Sequence, residues 1–173
     1  MNSPYGVTKI AGEHYCQFYA AQYNIHYSVL RYSNVYGPRQ SVLGEAGVVA
    51  IFCNQLLKGE QPVIFCARTP GDGGGSRDYI FVQDVVRANL KILTACHGEI
   101  LNISTGVGTT TETLYRMIAE IMGIKIEPKS AAPRIGDVEK SVMDSRRAQT
   151  LLNWRPDISL YDGLEMTVAF YQS

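Results

Sequence analysis

The chain has no long apolar run, no net charge and few cysteines, and each shortage removes a class of function. Its longest uninterrupted apolar stretch, Val48 to Cys53, is far too short to span a bilayer, so no membrane partner is expected. Sixteen basic residues are balanced by sixteen acidic ones, which argues against a nucleic-acid-binding surface and against a polybasic membrane anchor. The four cysteines, Cys16, Cys53, Cys66 and Cys96, form no C-x-x-C pair, and the three histidines, His14, His26 and His97, lack metal-ligand spacing. No metal is expected; reduced thiols in a cytoplasmic protein are. Polar residues and a helix start follow Met1 at once, so no signal peptide is expected. A complete glycine-rich dinucleotide fingerprint is also missing. Ile103-Ser104-Thr105-Gly106-Val107-Gly108-Thr109 is half of one, without the third glycine. It reads as structural, with Thr109-Thr110-Thr111-Glu112 as a capping box. Gly71 to Gly75 lacks the lysine of a phosphate-binding loop and reads as a mobile loop.

What is present is globular. The 173 residues are 46% hydrophobic and 18% charged, enough for one ordinary domain with a real core. Periodicity predicts helices over 4–23, 48–57, 84–95, 110–122, 145–152 and 160–171. In the first of these, Ile10, His14, Phe18 and Ala21 lie near one stripe, and His14 is expected to pack along it. Strands are predicted over 27–32, 63–65, 78–82, 100–103 and 125–127. Residues 33–47 and 69–76 read as loops, and 134–144 as loop and strand. Alternating strands and helices imply an α/β architecture. Val29 to Tyr32 is apolar on both faces, like a central parallel strand. Its partners in a doubly wound sheet are expected mostly before residue 1, so the chain reads as the carboxyl-terminal half of something larger.

Ser3-Pro4-Tyr5-Gly6-Val7-Thr8-Lys9 opens the first helix, with Ser3 suited to the N-cap and Pro4 to the first helical position. Tyr5 and Lys9, four apart, share one helical face. An ammonium beside a phenol favours the phenolate. Such a phenol can take a proton from a sugar hydroxyl while hydride leaves the same carbon. On spacing alone, a surface pair explains the two residues equally well. Tyr32-Ser33-Asn34 directly follows a strand, where ligands of open α/β sheets bind, although Asn34 to Pro38 also suits a plain turn. Arg77 and Arg134 each sit in a glycine-containing stretch. Converging on one cavity they would suit a diphosphate, with Asp137 accepting from a ribose hydroxyl. Solvated surface pairs are the alternative.

Taken in order, SPYGVTKIAGEHY (3–15), LRYSNVYGPRQ (30–40), GVVAIFCNQLLKGE (47–60), RDYIFVQDVVRANL (77–90), LNISTGVGTTTETL (101–114), PRIGDVEKS (133–141) and LLNWRP (151–156) carry a resemblance. The chain resembles the extended short-chain dehydrogenases/reductases, the NAD-dependent epimerase/dehydratase family, and within it the UDP-glucose 4-epimerase-like enzymes. The resemblance implies the carboxyl-terminal part of a Rossmann-like doubly wound fold plus the smaller α/β substrate-binding domain. Residues 1–46 would be the remnant of the dinucleotide-binding domain. Residues 47–173 would be mainly substrate-binding, with some segments returning to the Rossmann sheet.

It further implies NAD as cofactor in the complete enzyme, a UDP-sugar or related nucleotide sugar as substrate, and homodimers. Tyr5 would be the acid/base, and Lys9 would bind the nicotinamide ribose. Tyr32 and Ser33 would meet the nicotinamide, and Asn34 the sugar diphosphate. Arg77 and Arg134 would hold the diphosphate, Asp137 the nucleoside ribose, and Gly47, Val48, Val63 and Phe65 the nucleotide. The alternatives are a dehydratase or decarboxylase of the same family, or a non-catalytic sugar-nucleotide-binding fragment. Several features depart from the family. Its amino-terminal glycine-rich motif and the Ser/Thr partner of the tyrosine are absent. Ser33 stands where an aromatic is common, and Cys66-Ala67-Arg68 replaces a more usual Gly-Asp.

Overall fold

A computed structural model describes residues 4–43, 47–95 and 97–173. Ser3, proposed as N-cap, and Cys96 lie outside them. The order is α1 (Pro4–Tyr23), β1 (Ser28–Tyr32), β2 (Asn34–Tyr36), α2 (Val48–Leu57), β3 (Val63–Phe65), β4 (Ser76–Phe81), α3 (Val82–Ile92) and β5 (Glu99–Ile103). Then follow β6 (Gly108–Thr110), α4 (Thr111–Met122), β7 (Lys129–Ala131), β8 (Lys140–Ser141), α5 (Arg146–Leu152) and α6 (Leu160–Gln172). The mixed α/β architecture, with parallel sheets, follows from the alternation seen in the sequence.

Strand β4 is the hub. Its second half pairs in parallel with β2, placing Asn34 opposite Tyr79 and Tyr36 opposite Phe81. Its first half pairs with β6 antiparallel and with β8 parallel. Separately, β1 pairs with β5 and β3 with β7, both in parallel. Successive side chains of a strand face opposite ways, and β4 uses this to serve two cores. Tyr79 and Phe81 enter a cluster built from α2, α4 and α6, with Phe52, Leu56, Leu114, Ile118, Leu164 and Val168. Ile80 enters the other, with Val85, Ala88, Leu101, Ile103, Ala148 and Trp154. Gly163 of α6 makes close approach possible, since any side chain there would meet the Tyr36 hydroxyl and the Phe81 ring.

Several expectations are corrected. Residues 34–36, read as loop, form β2, because three residues show little local pattern and are held by β4. The strand expected at 125–127 lies at 129–131. Ile124 and Ile126 pack against the core instead, and the ladder with β3 begins only beyond Pro128, which has no N–H to donate. β6 was not anticipated. The capping box read at 109–112 does not form: Thr110, one residue later, is the N-cap of α4 and accepts from the Thr113 N–H at 3.1 Å, while the Glu112 carboxylate accepts from Arg116. Helix α3 starts at Val82 and stops at Ile92, short of the predicted 95. Helix α1 buries none of its residues. His14 is exposed, contrary to its expected packing, and Phe18 is 60% exposed. The helix is fastened to β1 by Arg31, whose Nε and Nη2 donate to the Glu13 carboxylate at 2.7 and 2.6 Å. That bond holds the Glu13 carboxyl below its ordinary range. Strand β1 is half-buried at its start and exposed at Arg31 and Tyr32. No helix among the described residues is long and apolar enough to cross a membrane.

Asp84, buried in the first turn of α3, stitches the carboxyl-terminal segment to the rest. Its carboxylate accepts from Arg87 and from the Asp157 and Ile158 N–H groups, while its carbonyl accepts from the Trp154 indole at 3.0 Å. Asp84→Ala leaves two backbone donors and one guanidinium contact unmatched. It is expected to cost about 3 kcal/mol of stability, measured by urea unfolding; a loss below about 1 kcal/mol would show that the network contributes little.

Candidate functional site

Residues of β2, β3 and β4, Ser33 just after β1, one face of α2, and the segment before β8 line a cavity of about 820 Å³. Ten residues singled out in the sequence line it: Tyr5, Ser33, Asn34, Gly47, Val48, Val63, Phe65, Arg77, Arg134 and Asp137. The two arginines therefore do converge on one space. Lys9 and Tyr32 are not on its wall. Lys9 Nζ lies 5.0 Å from the centroid of the Tyr5 ring, and the Tyr32 hydroxyl donates to Asn89 Oδ1 at 2.9 Å. Tyr5 is 61% exposed.

Each wall has a local cause. Helix α2 presents Val48, Ile51, Phe52 and Gln55 inward, the i, i+3, i+4, i+7 face of a helix. Gly47 precedes it as N-cap without a side-chain cap. A side chain at Gly47 would run into the Gln40 amide, whose Nε2 donates to the Val35 carbonyl at 3.0 Å. The Arg134 guanidinium stacks on the Phe65 ring, 3.5 Å from its centroid, a cation–π contact that places its charge over the cavity. Arg77 Nη1 donates to its neighbour's carbonyl, Ser76 O, at 3.0 Å. Burial pushes the Tyr79 phenol up to about 12 against the opposing influence of Arg77, so it stays a neutral hydrogen-bonding group on the cavity wall.

The loop after β3 edges the cavity at Cys66 and Ala67. Expected to be mobile between Gly71 and Gly75, it is tied by the Asp72 carboxylate, which accepts from the N–H groups of Ala67, Arg68, Thr69 and Gly74. Those backbone bonds hold the Asp72 carboxyl well below the usual carboxylate range. Arg68 Nε then donates to Glu139 at 2.7 Å and links this loop to the segment bearing Arg134 and Asp137. The half-fingerprint at 103–109 is occupied by the protein itself. The N–H groups of Thr105 and Gly106 and the Thr105 hydroxyl donate to the buried Asp78 carboxylate at 3.0, 2.9 and 2.7 Å. It is an anion nest of the kind glycine-rich turns form, filled by an internal carboxylate. Cys16, Cys53 and Cys66 are free thiols, and burial pushes Cys53 up to about 12.

Sequence reasoning missed Gln40, Gln55, Tyr79, Thr111, Val138 and Glu139 on the cavity wall. A polar residue closing an otherwise apolar helical stripe was the available signal for Gln55. The others carry none, because their placement depends on long-range pairing.

Residues 1–104 match the model of the NAD dependent epimerase/dehydratase family. The chain belongs to that family. A UDP-glucose 4-epimerase of Mycolicibacterium smegmatis is 43% identical over 172 residues, 99% of this chain and 53% of that protein. The crystal structure of a Thermotoga maritima UDP-glucose 4-epimerase with UDP-glucose shares 48% identity at a TM-score of 0.92, over 98% of this chain and 53% of that one. A Thermus thermophilus UDP-glucose 4-epimerase complexed with NAD shares 41% identity at a TM-score of 0.93, over 99% and 55%. These neighbours carry the Rossmann-like fold, and the chain spans about half the length of the relatives it matches.

Proposed function

We propose that this chain carries the nucleotide-sugar part of an NAD-dependent epimerase of the UDP-glucose 4-epimerase kind. The observation that supports it is the convergence of Arg77, Arg134 and Asp137 with Tyr5 and Asn34 on one cavity. Two guanidinium groups match the oxygens of a diphosphate, and a carboxylate beside them suits a ribose hydroxyl. Residues 1–46 belong to the dinucleotide-binding side and 47–173 mainly to the substrate side. The complete enzyme is read as a cytoplasmic homodimer.

The residues at the Tyr5 end suit the nicotinamide end of NAD. Ser33 Oγ is buried without a hydrogen-bond partner among the described residues, and Ser33 lines the cavity with Tyr5 and Asn34. Tyr5, Lys9, Tyr32 and Ser33 would hold that end. The 173 residues contain no glycine-rich turn opening a helix for the pyrophosphate. When bound, NAD supplies reversible oxidation of a sugar carbon. Tyr5 Oη takes the proton of the hydroxyl on that carbon and later returns it. Lys9, whose Nζ lies 5.0 Å from the Tyr5 ring centroid, places a positive charge beside that ring. Arg77 and Arg134 keep the diphosphate anchored, so that the oxidised sugar can present its other face without leaving.

Two measurements test this. In the enzyme completed with a dinucleotide-binding half, Tyr5→Phe should abolish turnover while UDP-sugar binding stays within about threefold, since only one hydroxyl is removed. Near-normal kcat would dismiss Tyr5 as the acid/base. Arg77→Ala and Arg134→Ala should each weaken UDP binding by roughly 1.5–3 kcal/mol, the worth of a hydrogen bond to a charged group, and leave uridine binding unchanged. Equal losses for both ligands would point to unfolding and away from diphosphate recognition.

A further inference from the structure

The turn from α1 into β1 and the turn from α3 into β5 each carry a histidine, His26 and His97. Far apart in the chain, they meet because β1 and β5 run in parallel, with Ser28 opposite Glu99. The Gly98 N–H donates to the Tyr27 carbonyl at 2.7 Å and fixes the two turns together just ahead of the ladder. The imidazole centroids lie 4.2 Å apart, with the ring planes at 34°. Both residues are exposed. The pair sits at the amino ends of its strands, whereas the cavity lies beyond the carboxyl end of β1, at Ser33 and Asn34. It is therefore separate from the nucleotide-sugar site. Core packing does not account for a contact between two exposed rings, and two imidazolium ions this close would repel each other.

We propose that His26 and His97 together bind a divalent transition-metal ion of tetragonal preference, copper(II) or nickel(II). Imidazole is the commonest protein ligand for such ions. An ion about 2.1 Å from one nitrogen of each ring lies about 3.2 Å from each ring centroid. Centroids 4.2 Å apart then subtend about 80° at the ion, near the right angle between neighbouring positions of a tetragonal ion and well short of the tetrahedral angle that zinc prefers. The rings need only rotate about their own side-chain bonds to aim those nitrogens, a freedom that exposure leaves them. No group of three or more potential ligands forms among the described residues, so water fills the remaining positions. The two imidazoles act as a chelate: once one holds the ion, the other is already at hand. The bound ion ties the entry of β1 to the entry of β5, its strand partner.

Calorimetry with nickel chloride tests the proposal on the chain as it stands. His26→Ala and His97→Ala should each weaken nickel binding by about tenfold or more, because either loss opens the chelate. The double variant should then bind little more weakly than either single one. His14→Ala, which removes an exposed imidazole of α1, should leave binding unchanged. Nickel should also raise the urea midpoint of the unaltered chain and not that of the double variant, since an ion that binds only the folded pair stabilises it. None of these substitutions removes a buried side chain, so the variants keep the fold. Absence of nickel binding by the unaltered chain, or binding that survives the loss of either imidazole, overturns the proposal. A loss of the same size in His14→Ala overturns it too. Single losses that add in the double variant would do the same, because they would mean separate ions on separate histidines.

Discussion

The buried carboxylate of Asp78 is the interaction on which the arrangement depends. It sits at the centre of β4, the strand that feeds both cores, and it receives N–H groups from the turn after β5 and, at 3.4 Å, from Met143 just before α5. Three segments far apart in the chain are thereby fixed to one point. A charge removed from water is tolerated only when several donors surround it, so the turn at Thr105 and Gly106 and the path of residues 142–145 follow from this one side chain. Arg77, one residue earlier, faces the cavity because Asp78 faces the interior.

The same strand explains why the cavity lies where it does. Tyr79 pairs with Asn34 across the parallel ladder of β4 and β2, which brings the segment after β1 alongside the arginine. The other wall comes from β3 and β7. Their pairing sets Phe65 beside Ala131, three residues before Arg134, and the guanidinium then stacks on the ring. Convergence of two cations is thus a product of two separate parallel pairings, and the Arg68–Glu139 contact links the loops that follow them.

Much of this was legible in the residues. α2, α4 and α6 have apolar residues at helical spacing that face a packed core, and β3 is bounded by Pro62 and the glycine-containing loop that follows it. Tyr5, Asn34, Arg77, Arg134 and Asp137 stand out by residue type and by their place in an ordered series of segments. What could not be read was set by distant partners. β2 and β6 are three residues long, and each exists through β4. Lys125-Ile126-Glu127 alternates like a strand, yet its isoleucine packs inward while the pairing with β3 starts at Lys129. The stripe of α1 has helical period but, beyond a half-buried Ile10, is exposed. Periodicity reports a face, whereas burial needs a neighbour. Gln55 closes an otherwise apolar helical stripe, a signal the residues do carry; that its side-chain oxygen is buried and unmatched among the described residues appears only in the fold.

The central claim is that one cavity holds a nucleoside diphosphate sugar along the line from Phe65 to Tyr5. A crystal structure of the protein soaked with UDP-glucose tests it directly. The account predicts the diphosphate between Arg77 and Arg134, the base at the Phe65 end and the hexose reaching toward Asn34 and Tyr5. A nucleotide bound elsewhere, or bound here with its sugar at the Phe65 end, would contradict it.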